Sequence, residues 1–210
     1  MLWGGHNGGL ELRKRASGAM ALAGRFPYGK AAVLTDGGRT GRPRKEIIAP
    51  KAFGYRINTP SDHGGPKDIH LLVGHSYDRP LASVRSGTLK LTDTAEAVTF
   101  EAVISPEMQQ VSWVQDILAA LAAGLIIGIS PGFRLPPKRA VEEAEKIEQE
   151  ANDPENGMHQ AIIRTVMAAL LYELSLVTRP AYPETQVEER NWRMPSRPRI
   201  RSLHSVERWR

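Results

Sequence analysis

A hydroxyl, an imidazole and a carboxylate lie in three apolar, strand-like runs of this 210-residue chain. They are Ser130 in GISPGFR, His75 in GHSYDRPL and Glu173 in LYELSLVTRPAYP. A serine hydroxyl is a weak nucleophile until a neighbouring base takes its proton, and a histidine serves as that base when a carboxylate fixes its tautomer. Brought together on facing strands, the three residue types would let a hydroxyl attack a peptide carbonyl.

Each residue also has a plainer reading. Ser130 follows the buried run Gly124–Ile129, and glycines on either side keep the approach to its hydroxyl open. It could equally start a turn before Pro131-Gly132. Pro131 has no N–H, so the residue after Ser130 cannot donate to an oxyanion. That task falls to another backbone N–H, a water, or a cation such as Arg134 or Arg179. His75 closes an apolar strand, where an imidazole can be half-buried and titrate near neutrality. His6 and His204 lie near the ends of the chain, and His63 and His159 in loops. His70, five residues before His75, is predicted to face the opposite side of the strand. Glu173 sits among apolar neighbours, and a buried carboxylate needs a partner. His75 would supply one; Arg164 or Arg179 would make a structural ion pair instead. Ser175 places a second hydroxyl on the strand face that carries Glu173.

The elements that must position these groups are legible from periodicity. MALAGRFPYGKAAVL predicts one or two opening strands, EIIAPKAF a short strand turning into a helix, and IHLLVGHSY a buried strand. A turn is expected at Asp78-Arg79-Pro80. ASVRSGTLKLTD and AVTFEAVIS alternate with period 2 and predict an antiparallel pair. At Ser105 the period changes. SPEMQQVSWVQDILAALAAG has a serine cap, an early proline, a closing glycine and Val111, Val114, Leu118 and Leu121 on one face. One amphipathic helix is therefore expected from there to Gly124. LIIGISPGFRL is too apolar for an exposed strand, and TVMAALLYELSLVTRPAYP becomes strand-like in its second half. The strands bearing Ser130 and Glu173 should be neighbours in one sheet.

Composition narrows the function without choosing it. Hydrophobic residues at 41% and charged ones at 24% suit one soluble globular domain. There is no cysteine, which excludes disulfides, thiolate metal sites and a cysteine nucleophile. No phosphate-binding glycine loop, HExxH or paired-histidine cluster occurs, so no cofactor or metal is expected. The longest apolar stretch, 117–129, falls short of the ~20 residues of a membrane span, and the N-terminal residues lack the apolar core of a signal peptide. The net charge is +5, yet residues 190–210 hold seven arginines against the single acid Glu207, a surplus of +6. Residues 1–189 are therefore net −1, and the basicity belongs to a proline-broken tail. Such a tail is either a solvated end or an electrostatic handle for DNA or an acidic scaffold.

Four motifs resemble the prohead (capsid maturation) serine proteases of tailed bacteriophages, distant relatives of the herpesvirus assemblins. Glu46-Ile-Ile-Ala-Pro-Lys-Ala-Phe53 is similar to their E-x-I-x-P-x-A-F, and His75–Leu81 to their H-x(n)-P-L. Gly128-Ile-Ser-Pro-Gly-Phe133 is similar to G-x-S-x-G-F, with Pro131 where a β-branched residue is more usual. Leu171–Ala181 is similar to L-x-E-x-S-L-V-x-x-P-A. The resemblance runs from about Phe26 to Val187. It implies an α+β fold, a single small β-barrel of mainly antiparallel strands flanked by helices. It also implies endoproteolysis of scaffold or capsid-protein segments within the immature capsid in the host cytoplasm, by Ser130, His75 and Glu173. On this reading residues 1–24 form a flexible basic arm, 25–189 the protease domain with a charged loop or helical excursion at 136–158, and 190–210 the tail. Self-association stays open, as does a weak nucleic-acid contact through the tail. Two other functions remain: a non-catalytic scaffold or assembly protein of the same fold, and a nucleic-acid-binding structural protein.

Overall fold

Runs such as MALAGRFP, LKLTD and AVTFEAVI bury every second side chain, so each needs a pleated face and a partner strand. The computed structural model describes residues 10–15, 17–39, 41–58, 68–126, 128–153 and 158–180. In the first sheet β1 (Glu11–Lys14), β2 (Met20–Pro27), β8 (Ala97–Ile104) and β7 (Leu89–Asp93) lie side by side in that order, all antiparallel. The predicted pairing of LKLTD with AVTFEAVI is present as β7 and β8. Of the residues expected to belong to an arm, 11–14 form β1 and 20–24 most of β2. Leu22 is fully buried against the core, so its apolar face outweighs the glycine and charge around it. Residues 1–9 and the tail from 190 onward lie outside the described residues.

A second sheet runs β10 (Glu145–Gln149), β13 (Ile162–Val166), β4 (Arg44–Ile48), β3 (Ala31–Thr35), with β13 and β4 parallel. The charged stretch 136–158 is thus neither loop nor helix throughout. β10 pairs with β13, and β11 (Asn152–Asp153) pairs with β12 (Met158–His159). Ion pairs from Arg164 to Glu145 and Glu46 tie three strands of this sheet together. Charge here is spent within a sheet, which hydropathy alone does not reveal.

The third sheet holds the residues of interest. Its order is β6 (Ser76–Ser83), β5 (His70–Val73), β14 (Leu170–Val177), β9 (Gly128–Arg134), with β14 parallel to β5 and antiparallel to β9. The strands bearing Ser130 and Glu173 are hydrogen-bonded neighbours, as expected. Asp78-Arg79-Pro80, expected as a turn, is part of β6, which follows β5 through two register shifts. Two α-helices lie among the described residues, α1 (Gly54–Asn58) and α2 (Ser112–Ala122). The latter begins later than its sequence suggests. The Ser105 hydroxyl accepts the Met108 N–H at 3.3 Å at the start of a 3-10 turn over Met108–Gln110, which precedes α2. No helix among the described residues is long and apolar enough to cross a membrane.

The expected single β-barrel is not what forms. Among the described residues three separate four-stranded sheets enclose one core, and they do not close into one hydrogen-bonded cylinder. Alternation identifies strands and their buried faces, but closure depends on how edge strands meet, which no local pattern encodes. The sheets meet through side chains instead. Leu22 and Phe100 come from the first, Ile48 and Val166 from the second, Leu71, Ile129 and Leu174 from the third. Gly24 of β2 lies where the first and third sheets pack closely against each other. A Cβ built there would stand 2.4 Å from Phe100 and 2.7 Å from Ile129, the neighbour of Ser130. Gly24→Ala should therefore cost about 1–3 kcal/mol through overpacking. Chemical denaturation should show a lower midpoint with an unchanged slope; an unaltered midpoint would mean the core yields freely there.

Candidate active site

In a sheet, paired residues on neighbouring strands point to the same side. Leu174 and Leu176 of β14 pair with Pro131 and Ile129 of β9 and with Leu71 and Val73 of β5, and all six are buried. The opposite face then carries Glu173 and Ser175 of β14, Ser130 and Gly132 of β9, and His70 and Leu72 of β5. Ser130 sits directly across from Ser175, and Gly132 from Glu173. Cross-strand neighbours of this kind have Cβ atoms roughly 4.5–5.5 Å apart.

His75 reaches this face by a different route. Gly74 and His75 occupy the tip of the β5–β6 hairpin with φ of 59° and 61°. Two consecutive positive φ values are the sign pattern of a type I′ hairpin turn, where glycine is comfortable and histidine is tolerated. Strand alternation ends at the turn, so the predicted opposition of His70 and His75 does not hold. Both stand on the side of Glu173. The hairpin turns the His75 ring back over β14, where Nδ1 lies 2.7 Å from Glu173 Oε1. A carboxylate only accepts, so Nδ1 carries the proton and Nε2 is left as the basic nitrogen. The Glu173 side chain is only 6% exposed and that of His75 47%, which leaves the imidazole within reach of a substrate.

Glu173 is held at both oxygens. The Ser175 hydroxyl donates to Oε2 at 2.7 Å, and the same hydroxyl accepts the His75 backbone N–H at 2.9 Å. The alternative ion partners are placed elsewhere. Arg164 is engaged by Glu46 and Glu145 in the second sheet, and Arg179 is exposed beyond the end of β14. His70 is engaged as well: its Nε2 lies 3.6 Å from Asp68 Oδ2, and its ring meets Tyr77 edge-on at 5.8 Å. Burial pushes the Asp68 carboxyl upward, but the Arg85 N–H, the Ser83 hydroxyl and His70 outweigh that and hold it below the usual range.

Ser130 is half-buried, and among the described residues its hydroxyl has no hydrogen-bond partner; no bond links it to His75. Unliganded catalytic hydroxyls are often set this way and close on the base only with substrate. Arg134, weighed above as an oxyanion partner, is four residues along β9. At ~3.3 Å of rise per residue it stands about 13 Å from Ser130 at Cα, too far for that role. Its guanidinium instead lies 5.7 Å from the centre of the Tyr172 ring, which Arg56 also covers at 4.2 Å.

Gly132 makes the arrangement possible. A Cβ there would lie 1.9 Å from Glu173 Oε1, so only glycine leaves room for the carboxylate oxygen that meets His75. Beyond it a cavity of about 490 Å³ opens beside Glu173, walled by His70, Tyr77, Gly132, Phe133, Arg134 and Tyr172. Burial raises the pKa of Tyr77 above that of an ordinary phenol, and the nearby Glu173 charge adds to the effect. Sequence reasoning missed this cavity because the walls come from four separate segments. It gave Gly132 only the task of keeping the approach to Ser130 open, and did not foresee its contact with Glu173.

No curated protein and no solved structure matches the chain. A family model does. Residues 33–197, well over half of the sequence and including His75, Ser130 and Glu173, match the model of the caudovirus prohead serine protease. An imidazole bonded to a buried carboxylate shares one sheet face with a serine on the adjoining strand, all three lie within the matched residues, and the chain belongs to the caudovirus prohead serine protease family.

Proposed function

We propose that the chain is a serine endopeptidase that cuts scaffold or capsid-protein segments within the immature capsid. Ser130 is the nucleophile, His75 the base and Glu173 the carboxylate that orients the base. Family membership carries the protease role in capsid maturation. The observation that supports these assignments is the 2.7 Å contact of His75 Nδ1 with Glu173 Oε1, on the sheet face that also bears Ser130.

The mechanism follows from the tautomer. With its Nδ1 proton committed to Glu173, His75 takes the Ser130 proton at Nε2 as Oγ attacks the scissile carbonyl. The imidazolium that forms is stabilised by the Glu173 carboxylate, which stays ionised. His75 then passes the proton to the leaving amine, and the acyl-Ser130 ester is hydrolysed by a water that His75 deprotonates. Pro131 contributes no N–H to the tetrahedral oxyanion, so the stabilising donor lies on another element.

The test is covalent. A fluorophosphonate probe should react with the purified protein, peptide mass mapping should place the adduct on Ser130, and labelling should stop cleavage of co-expressed scaffold. An adduct on Ser175, or scaffold cut equally well by fully labelled protein, would overturn the assignment. Absence of both labelling and cleavage would favour a non-catalytic assembly protein of the same family.

A further inference from the structure

Ser175 has no role in the mechanism above, yet its hydroxyl is the best connected on the site face. It is fully buried, two residues beyond Glu173 on β14. A hydroxyl has one proton to give and two lone pairs. Ser175 gives its proton to Glu173 Oε2 at 2.7 Å and takes the His75 backbone N–H at 2.9 Å. One oxygen atom therefore touches both members of the base–carboxylate pair.

Both contacts answer a structural need. Glu173 has a flexible side chain in a buried position, and unless Oε2 is held the carboxylate can rotate away from His75. His75 sits at a φ of 61°, a conformation that L residues keep only where their surroundings impose it. Gly74 is fixed by its own N–H on the Leu176 carbonyl at 3.0 Å, and His75 by its N–H on Ser175. The hairpin tip is thus pinned to β14 at two successive residues. Ser175 cannot be the nucleophile, because no substrate carbonyl can reach a fully buried oxygen whose proton is already committed.

We propose that Ser175 is a positioning residue. It fixes the Glu173 carboxylate and the left-handed backbone of His75 together, so that the imidazole is presented to Ser130 in one orientation and one tautomer. This rests on the assignment of His75 as base and Glu173 as its orienting carboxylate.

Threonine and valine at position 175 have nearly the same volume and differ by the hydroxyl alone. Ser175→Val should lower kcat by ~10–100-fold with little change in KM, the scale expected when a base is displaced by about 1 Å. Ser175→Thr should recover most of that loss. In the free protein the low-field proton resonance of a carboxylate-bound histidine Nδ1–H should be present for the native chain and Ser175→Thr, and broadened or lost for Ser175→Val. Ser175→Ala, which adds no volume, should repeat the valine result if the β-branched variants fold poorly. Equal kcat for the hydroxyl-bearing and hydroxyl-free variants, with the resonance intact in both, would overturn the proposal. The resonance needs no substrate, so it decides the role of Ser175 even if the native chain cleaves nothing and the protease assignment itself fails.

Discussion

Ser130→Ala and His75→Asn should each lower turnover of a scaffold substrate by at least ~10³-fold, and the double variant should be no worse than either single one. Nucleophile and base act as a unit, so removing one leaves the other without a task. The two substitutions should nevertheless differ in stability. The Ser130 hydroxyl has no partner among the described residues, so its loss leaves nothing unsatisfied and the melting temperature should barely move. His75 is the partner of a carboxylate whose side chain is 6% exposed. Asparagine accepts a positive φ as readily as any non-glycine residue, so the hairpin tip should survive. Its shorter amide does not span the distance to Glu173, and the weakened contact should cost about 1–3 kcal/mol. Steady-state kinetics on a scaffold-derived peptide, together with thermal melts, separate these effects. Turnover within tenfold of native in Ser130→Ala would rule out that residue as nucleophile. A further ~10³-fold loss in the double variant would mean the two residues act independently.

What the sequence disclosed and what it withheld divide along the range of the interactions involved. Period-2 alternation located β7, β8 and the apolar strands around Ser130 and Glu173, because alternation records which side chains a strand must bury. It could not record which edges meet, and so a closed barrel was expected where three sheets share a core. Of the two histidines it is His75 that touches Glu173, but not because the two stand on opposite strand faces. Counting faces along a strand fails once Gly74 and His75 take positive φ, and the turn returns His75 to the side that His70 already occupies. What separates the two histidines is the competing partner: Asp68 engages His70 and leaves Glu173 to His75. Ser175 was noticed as a hydroxyl on the right face, which periodicity can tell. That its oxygen joins Glu173 to the His75 backbone depends on residues about a hundred positions apart, and no local pattern carries that.

Gly132→Ala should damage catalysis severely, although it touches neither Ser130 nor His75 directly. The added methyl would stand 1.9 Å from Oε1, 2.6 Å from Cδ and 2.9 Å from Cγ of Glu173. The glutamate cannot retreat far, since Leu171, Leu174 and Leu176 on its own strand are buried and Ser175 holds its other oxygen. The end of the side chain must therefore swing off the 2.7 Å contact with His75, or β9 must part from β14. In the first case the base loses its orientation, and a displacement of about 1 Å is enough for a loss of up to ~10²-fold in kcat. In the second, stability falls by about 1–3 kcal/mol as the packed strands separate. Gly128 supplies the comparison, because it lies on the same strand and face but its Cβ would meet Pro180 at 2.4 Å, away from Glu173. Gly128→Ala should lose stability to a similar degree while keeping much more of its turnover per folded molecule. If the two variants lose kcat equally once corrected for the folded fraction, the carboxylate is not what orients the base, and Glu173 serves the packing of β14 instead. A deficit confined to Gly132→Ala, together with loss of the low-field His75 resonance, would locate the damage at the carboxylate–imidazole contact.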